Sequence, residues 1–226
     1  MKKPLNDLAI LYRTDKKLPD GKPAQNGLNG HGYTPYYAVF LKTYKIRSML
    51  EIGISFGGSL RMWRDYFEAG TSIYGMDICE KRFNRAELEA LGIHVLMADQ
   101  ADGRSIYEAL YPHVTTAKTP FSFDFIVDDG GHRMRQQQVS LAMLFPFLTP
   151  GGLYAIEDLH TSRYPEFYDS PADKEVTTWQ LLKALEEKKN IASPYITEAD
   201  FLYLKNNIDS IYYCAYEKLC FITKKK

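Results

Sequence analysis

Short apolar runs alternate with amphipathic stretches along most of the chain. Runs rich in branched and aromatic residues predict strands at about 47–54, 72–78, 93–98, 123–128 and 152–157. Apolar positions at three- and four-residue spacing predict helices near 57–69, 82–91, 102–111, 132–147 and 173–189. Strands alternating with helices of this length imply right-handed crossovers and a mostly parallel sheet. The tail breaks the rhythm. Ile208–Cys214 and Leu219–Thr223 are β-rich and separated by only a few residues, too few for a parallel crossover, so they predict an antiparallel hairpin at the sheet edge.

The leading segment reads differently. Residues 1–35 are polar and punctuated by turn signals at Pro19-Asp-Gly21, Asn26-Gly27 and Asn29-Gly-His-Gly32. They predict a loop or lid carrying one short helix from Leu5 to Tyr12, and helical spacing follows over 35–45. The domain reading is therefore one unit over 1–226, with an N-terminal lid and helix over 1–46 and an α/β core over 47–226.

Composition narrows the class. The 226 residues are 45% hydrophobic, enough for one sizeable core, and 28 basic residues balance 28 acidic ones. No global field favours nucleic acid or a membrane surface, and the lysine runs at the two ends read as solvated tails. No apolar run approaches the ~18 residues of a membrane span, and no signal peptide is evident. Cys79, Cys214 and Cys220 are odd in number and lack zinc-like pairing, so reduced thiols in a cytoplasmic protein are expected. The oligomeric state, a homo-oligomer among the readings, is not set by these features.

The chemistry concentrates at strand ends. Ser48-Met-Leu-Glu-Ile-Gly-Ile-Ser-Phe-Gly-Gly58 is a strand, a glycine turn and a helix start, in which Gly53 permits the tight turn and Gly57 a close ligand approach. Ser55 holds the middle position of the dinucleotide pattern, so the turn alone leaves NAD and an ordinary βα turn open. The missing lysine at Gly58-Ser59-Leu60 argues against a Walker loop. Glu51 before the turn, Asp77 at the end of the next strand and Asp99-Gln100 at the end of the third favour S-adenosylmethionine (SAM), with Asp77 on the ribose and the last pair near adenine. Tyr33 and Asp128 are also assigned to the cofactor side.

The strongest feature is Phe123-Asp-Phe-Ile-Val-Asp-Asp-Gly-Gly-His132, an apolar strand ending in paired aspartates, two glycines and a histidine. A second acidic pair, Glu157-Asp158, closes the next strand. Neighbouring parallel strands deliver their carboxyl ends to one crevice, where Asp129, Glu157 and Asp158 can converge on a divalent cation beside His132. The plainer readings are that Asp128 or Asp129 caps the following helix, that Glu157-Asp158 is a solvated strand end, and that His132 is structural. His160 is read either as a substrate contact or second base or as an exposed loop residue. His94 and His113 read as structural.

Taken in order, Arg13-Thr-Asp-Lys16, His31-Gly-Tyr-Thr-Pro-Tyr36, Leu50-Glu-Ile-Gly53, Gly57-Gly-Ser-Leu-Arg-Met-Trp63, Asp99-Gln100, Asp128-Asp-Gly-Gly-His132, Leu144-Phe-Pro146, Pro150-Gly-Gly-Leu-Tyr154 and Ile156-Glu-Asp158 resemble the bacterial sugar O-methyltransferases of macrolide tailoring, the macrocin and mycinamicin type. The resemblance implies an α/β, Rossmann-like class I methyltransferase fold with a mostly parallel seven-stranded sheet and an antiparallel C-terminal hairpin strand. It also implies SAM, a divalent metal, usually magnesium, and methylation of a sugar hydroxyl on a glycoside or glycan. It makes Asp129, Glu157 and Asp158 the metal ligands, with Asp129 and His132 as the catalytic pair and His132 as general base. Glycine stands at Gly131 where the family usually has serine. Some members carry an additional N-terminal domain, for which this chain is too short. Aromatic Tyr164, Phe167 and Tyr168 would wall the acceptor. The rival readings are a catechol- or phenylpropanoid-type O-methyltransferase, a cephalosporin-hydroxylase-related enzyme and a non-catalytic SAM-binding subunit.

Overall fold

Seven strands form one sheet in the order β3-β2-β1-β4-β5-β7-β6. A computed structural model describes residues 3–116 and 120–226; Met1 and Lys2 of the N-terminal lysine run fall outside the described residues. The strands are β1 (Ser48–Ile52), β2 (Ser72–Asp77), β3 (Ile93–Met97), β4 (Phe123–Asp128), β5 (Leu148–Ile156), β6 (Ile208–Cys214) and β7 (Leu219–Lys224). The first five pair in parallel, whereas β7 runs antiparallel between β5 and β6. Six strands thus share one direction. The expected Rossmann-like sheet with its C-terminal hairpin is borne out; the short connection between β6 and β7 requires antiparallel pairing, and β6 forms the edge.

Helices cover both faces. On one lie α1 (Leu5–Leu11), α2 (Thr34–Leu41), α3 (Gly58–Tyr66) and α4 (Arg85–Ala90), which bury Leu8, Tyr37, Trp63 and Leu88 against Met49, Phe125, Val127 and Ala155 of the sheet. On the other lie α5 (Gly103–Thr116), α6 (Met134–Leu144), α7 (Thr178–Glu186) and α8 (Glu198–Asn207), packed through Ile106, Leu141, Leu181 and Leu204 against Leu50, Ile126 and Ile156. The alternation of side chains along each strand divides the two cores.

Several boundaries differ from the periodicity, each for a local reason. The helix expected over 132–147 starts at Met134 because His132 takes a left-handed conformation, φ 59°. The stretch expected over 173–189 is helical only from Thr178, where Thr177 accepts the Gln180 amide at 3.2 Å and caps the first turn. Helix α8 is absent from the sequence reading, although Thr197 accepts the Asp200 amide at 3.1 Å in the same way. That Thr-x-x-Asp pattern is the signal the sequence offers for this helix.

The parallel ladder runs one residue past the strand ends. The Gly53 amide donates to the Met76 carbonyl at 2.8 Å, Asp129 to Ile52 at 3.0 Å and Glu157 to Asp128 at 2.9 Å. Three adjacent strands therefore release their chains side by side at the point where strand order reverses, which is where α/β sheets open a crevice. Gly53 is fixed there by two constraints: its φ is +89°, and an added Cβ would stand 2.0 Å from the Asp129 carbonyl oxygen. Gly53→Ala is expected to lower stability in urea unfolding by about 2–5 kcal/mol, combining left-handed strain with overpacking. Gly70→Ala, which meets open space, should stay within about 0.5 kcal/mol of wild type.

Candidate active site

A cavity of about 790 Å³ lies over the carboxyl ends of β1, β2, β3 and β4 and takes in Asp77, Asp99, Asp129 and His132 along its wall. Its cofactor half is built from turns. Asp77 accepts the Ile54 and Ser55 amides at 2.9 and 3.3 Å through one oxygen and the Cys79 amide at 3.3 Å through the other, tying the end of β2 to the glycine turn. Ser55 (φ 49°) and Gly57 (φ 74°) both hold left-handed backbone, and Gly57 caps α3. Gln100 bridges to the loop after β4: it donates to Asp128 at 3.1 Å and accepts the Gly131 amide at 2.8 Å. A cavity of this size beside a helix N-terminus and a strand-end aspartate fits a nucleoside cofactor such as SAM.

The other half is acidic. One oxygen each of Asp129 and Asp158 and one nitrogen of His132 lie within 4.8 Å of one another. His132 Nε2 is 3.5 Å from Asp158 Oδ2, while its Nδ1 is buried without a partner. His31 and His160 approach the same carboxylate, their Nδ1 atoms 3.6 and 3.8 Å from Asp158 Oδ1. Glu157 stands behind this trio, 1% exposed, with Oε1 on the Tyr37 hydroxyl and Oε2 unpartnered.

At the centre is a side chain to which the sequence reading gave no role. Lys16, wholly buried, ion-pairs with Asp129, with Glu157 at 3.0 Å and with Glu51 at 3.3 Å. Burial alone would pull its pKa down, but the Asp129, Glu157 and Glu51 carboxylates outweigh that and hold it well above the ordinary lysine range. Burial and the neighbouring Asp129 charge push Glu157 well up, and burial raises Asp129 and Glu51. Burial would also raise Asp158, yet His132, His31 and the Tyr33 hydroxyl overcome it and lower its pKa. One ammonium thus faces three carboxylates, with Asp158 beyond them. Asp129, Asp158 and His132 form the group that could hold a divalent cation, and Glu157 lies outside it.

The sequence-derived residues divide accordingly. Gly53, Ser55, Asp77, Asp99, Gln100, Asp129, His132 and Asp158 line the one cavity. Gly57, Glu51, Asp128 and Glu157 do not. Glu51 and Asp128 are wholly buried, Glu51 on Ser59 at 2.7 Å and Trp63 at 3.3 Å, and Asp128 on Ser140 and Gln100. Glu157, expected as a metal ligand, is buried behind the Asp129, His132 and Asp158 group. Tyr33, assigned to the cofactor, is also fully buried and donates to Asp158 Oδ1 at 2.6 Å. Arg133, not Asp128 or Asp129, precedes α6 as its cap residue, so the capping reading does not hold. Gly131 has a physical basis: an added Cβ would stand 2.3 Å from Gln136 Oε1, which accepts the Arg133 amide at 3.1 Å. His94 and His113 pack around Tyr74, as structural residues do.

Strand parity was the signal that could have sorted these carboxylates. Glu51, Asp129 and Glu157 continue the rows of Met49, Phe125 with Val127, and Leu153 with Ala155, all on the face covered by α1–α3. Asp128 continues the row of Ile126 and so faces α6.

No family model matches the chain. It is 35% identical over 166 residues to the mycinamicin VI 2''-O-methyltransferase of Micromonospora griseorubida, covering 69% of this chain and 39% of that protein. Likewise, it is 35% identical over 164 residues to the 8-demethyl-8-alpha-L-rhamnosyl tetracenomycin-C 2'-O-methyltransferase of Streptomyces olivaceus (69% and 40%). Identity to the demethylmacrocin O-methyltransferase of Streptomyces fradiae is 36% over 166 residues (69% and 39%). The chain therefore spans about 40% of the length of these relatives. Among solved structures, the MycE methyltransferase of the mycinamycin pathway in complex with Mg and SAH superposes with a TM-score of 0.75 at 29% identity, over 100% of this chain and 56% of that one. A Bacillus cereus O-methyltransferase in complex with SAH, at TM-score 0.54 and 13% identity over 98% of this chain and 90% of that one, shares the fold alone. The resemblance carried by the motifs is borne out: the relatives are named sugar O-methyltransferases of macrolide and tetracenomycin compounds.

Removing the Tyr33 hydroxyl tests the acidic half. Tyr33→Phe leaves a buried Asp158 oxygen without its donor and should cost about 1–3 kcal/mol at neutral pH. Because the folded pKa of Asp158 is depressed, its stabilisation is full above the unfolded value of about 3.9 and is lost as pH falls through the folded one. The gap between wild type and Tyr33→Phe in denaturant titrations should therefore narrow below about pH 4.

Proposed function

We propose, on the kinship with sugar O-methyltransferases, that this chain transfers a methyl group from SAM to a sugar hydroxyl, assisted by a divalent cation, magnesium by preference. One observation carries the reading: the acidic trio of Asp129, His132 and Asp158 opens into the same cavity as the glycine turn and Asp77. A methyl donor seated on the turn and an acceptor seated on the trio would meet within one enclosure.

When bound, SAM supplies an electrophilic methyl group, and the cation orients vicinal hydroxyls and offsets the negative charge growing on the attacking oxygen. Asp129, Glu157 and Asp158 would hold the cation; oxygen donors suit magnesium, which leaves the imidazole of His132 free for proton transfer. Sugar hydroxyls are very weak acids, so the proton must leave as the oxygen attacks. His132, which lines the cavity, would accept it, with the Asp158 carboxylate 3.5 Å from its Nε2 as negative charge beside the imidazolium so formed. Its carbonyl accepts the Thr161 hydroxyl at 2.9 Å, which pins the left-handed loop that presents the ring. Asp77 would take the ribose hydroxyls, and Asp99 and Gln100 would lie near the adenine.

The acceptor is inferred from the relatives, whose names specify sugars on macrolide and tetracenomycin scaffolds. Half-exposed Tyr164, edge-on to His160 with ring centres 6.0 Å apart, supports an aromatic wall for a sugar ring. No described helix is long and apolar enough to cross a membrane, and all three cysteines are free thiols. We place the reaction in the cytoplasm on that thiol count.

Incubation with SAM and a panel of glycosides bearing vicinal hydroxyls should add one methyl group to an acceptor, read by mass and located by NMR. EDTA should abolish transfer and magnesium restore it; transfer that continues in EDTA would remove the cation from the reading. His132→Ala should slow the chemical step by about 10²–10⁴-fold in single-turnover assays, the usual contribution of general-base catalysis. A loss below about tenfold would make His132 an orienting residue and pass the proton to His160 or solvent.

A further inference from the structure

Each carboxylate assigned to the cation has one oxygen already taken by the N-terminal segment. Lys16 holds Asp129 through Oδ2. Glu157 is held through Oε1, which Lys16 reaches at 3.0 Å and the Tyr37 hydroxyl also engages. Asp158 is held through Oδ1, to which Tyr33 donates at 2.6 Å. The second oxygen stays free of such donors: Glu157 Oε2 is buried without a partner, and Asp158 Oδ2 faces His132.

We propose that this one-oxygen capping, with Lys16 as the central positioning residue, leaves three single-oxygen ligands and thereby selects a small octahedral cation over calcium. Resting on the divalent-cation reading above, the capping supplies a cause for the choice of ion. Magnesium demands near-ideal octahedral geometry and keeps several waters, so single-oxygen carboxylates satisfy it. Calcium takes six to eight oxygens at longer range and readily binds a carboxylate through both. A carboxylate whose second oxygen is bonded to a buried ammonium or phenol cannot offer both. Lys16 matters most because it alone caps Asp129 Oδ2, shares the Glu157 cap with Tyr37 and, being wholly buried, has no solvent to turn toward; its removal frees the Asp129 oxygen.

Net charge alone makes a different prediction. Magnesium and calcium both carry two charges, so removing an ammonium from the site changes both affinities together and leaves their ratio fixed. Freed oxygens change the ratio. Lys16→Met by itself would strand Glu51 as an uncompensated buried charge, so the variant of choice is Lys16→Met combined with Glu51→Gln. A cooperative thermal transition serves as the check on folding.

Titration calorimetry of the full chain with MgCl2 and with CaCl2 reads the ratio directly. The wild type should favour magnesium or bind the two within about tenfold, and the double variant should shift the ratio toward calcium by about tenfold or more. A ratio unchanged within about threefold in the folded double variant overturns the proposal. Tyr33→Phe frees an oxygen on Asp158 without touching the lysine and should move the ratio in the same direction; if the double variant does not fold, an unmoved ratio in Tyr33→Phe overturns it instead. Wild-type preference for calcium by more than about tenfold overturns it at once. Absence of binding by either ion would remove the cation reading itself, and this inference with it.

Discussion

The ammonium of Lys16 is the interaction on which the site depends. It stands among Glu51, Asp129 and Glu157 with no exposure to solvent, and a buried carboxylate without such a partner would cost several kcal/mol. The N-terminal segment is thus part of the centre as well as its cover. Lys16, Tyr33 and Tyr37 all come from it, and each is fully buried. Its seating is close elsewhere too: an added Cβ at Gly58, the first residue of α3, would stand 2.6 Å from the Tyr12 carbonyl oxygen.

What brings the carboxylates together is backbone geometry. Parallel pairing of β1, β4 and β5 continues one residue past each strand, so Gly53, Asp129 and Glu157 leave the sheet in line. Alternation then assigns faces. Asp129 and Glu157 turn toward α1–α3 and the N-terminal segment, whereas Asp128 turns toward α6 and is absorbed by Ser140 and Gln100. Two adjacent aspartates acquire opposite duties because consecutive side chains in a strand point to opposite sides. Gln100 links the halves: an added Cβ on Gly130 would stand 1.8 Å from its Oε1, so the loop after β4 is moulded onto a residue in the turn after β3.

The surplus of negative charge gives the site its chemical character. Three carboxylates share one lysine beside a fourth, Asp158, and burial and mutual repulsion lift the pKa of Asp129 and Glu157. Asp158 escapes that trend because three histidines and a phenol surround it. Its surroundings favour the charged carboxylate, where burial of Asp129 and Glu157 disfavours it.

The sequence by itself determined what local rules determine. Strand and helix alternation, the short C-terminal connection and the glycine turn are set by neighbours a few residues apart, and the sheet follows them closely. The strand-end acids Asp77, Asp129 and Asp158 were legible because a parallel sheet has one functional edge. Tertiary structure alone decided the rest. Lys16 meets Asp129 across 113 positions, Tyr37 meets Glu157 across 120 and Tyr33 meets Asp158 across 125. A lysine in a polar, turn-rich leader carries no periodic mark of burial. Its charge is tolerated inside only because distant strands deliver three carboxylates to it, and that compensation does not exist until the sheet has formed.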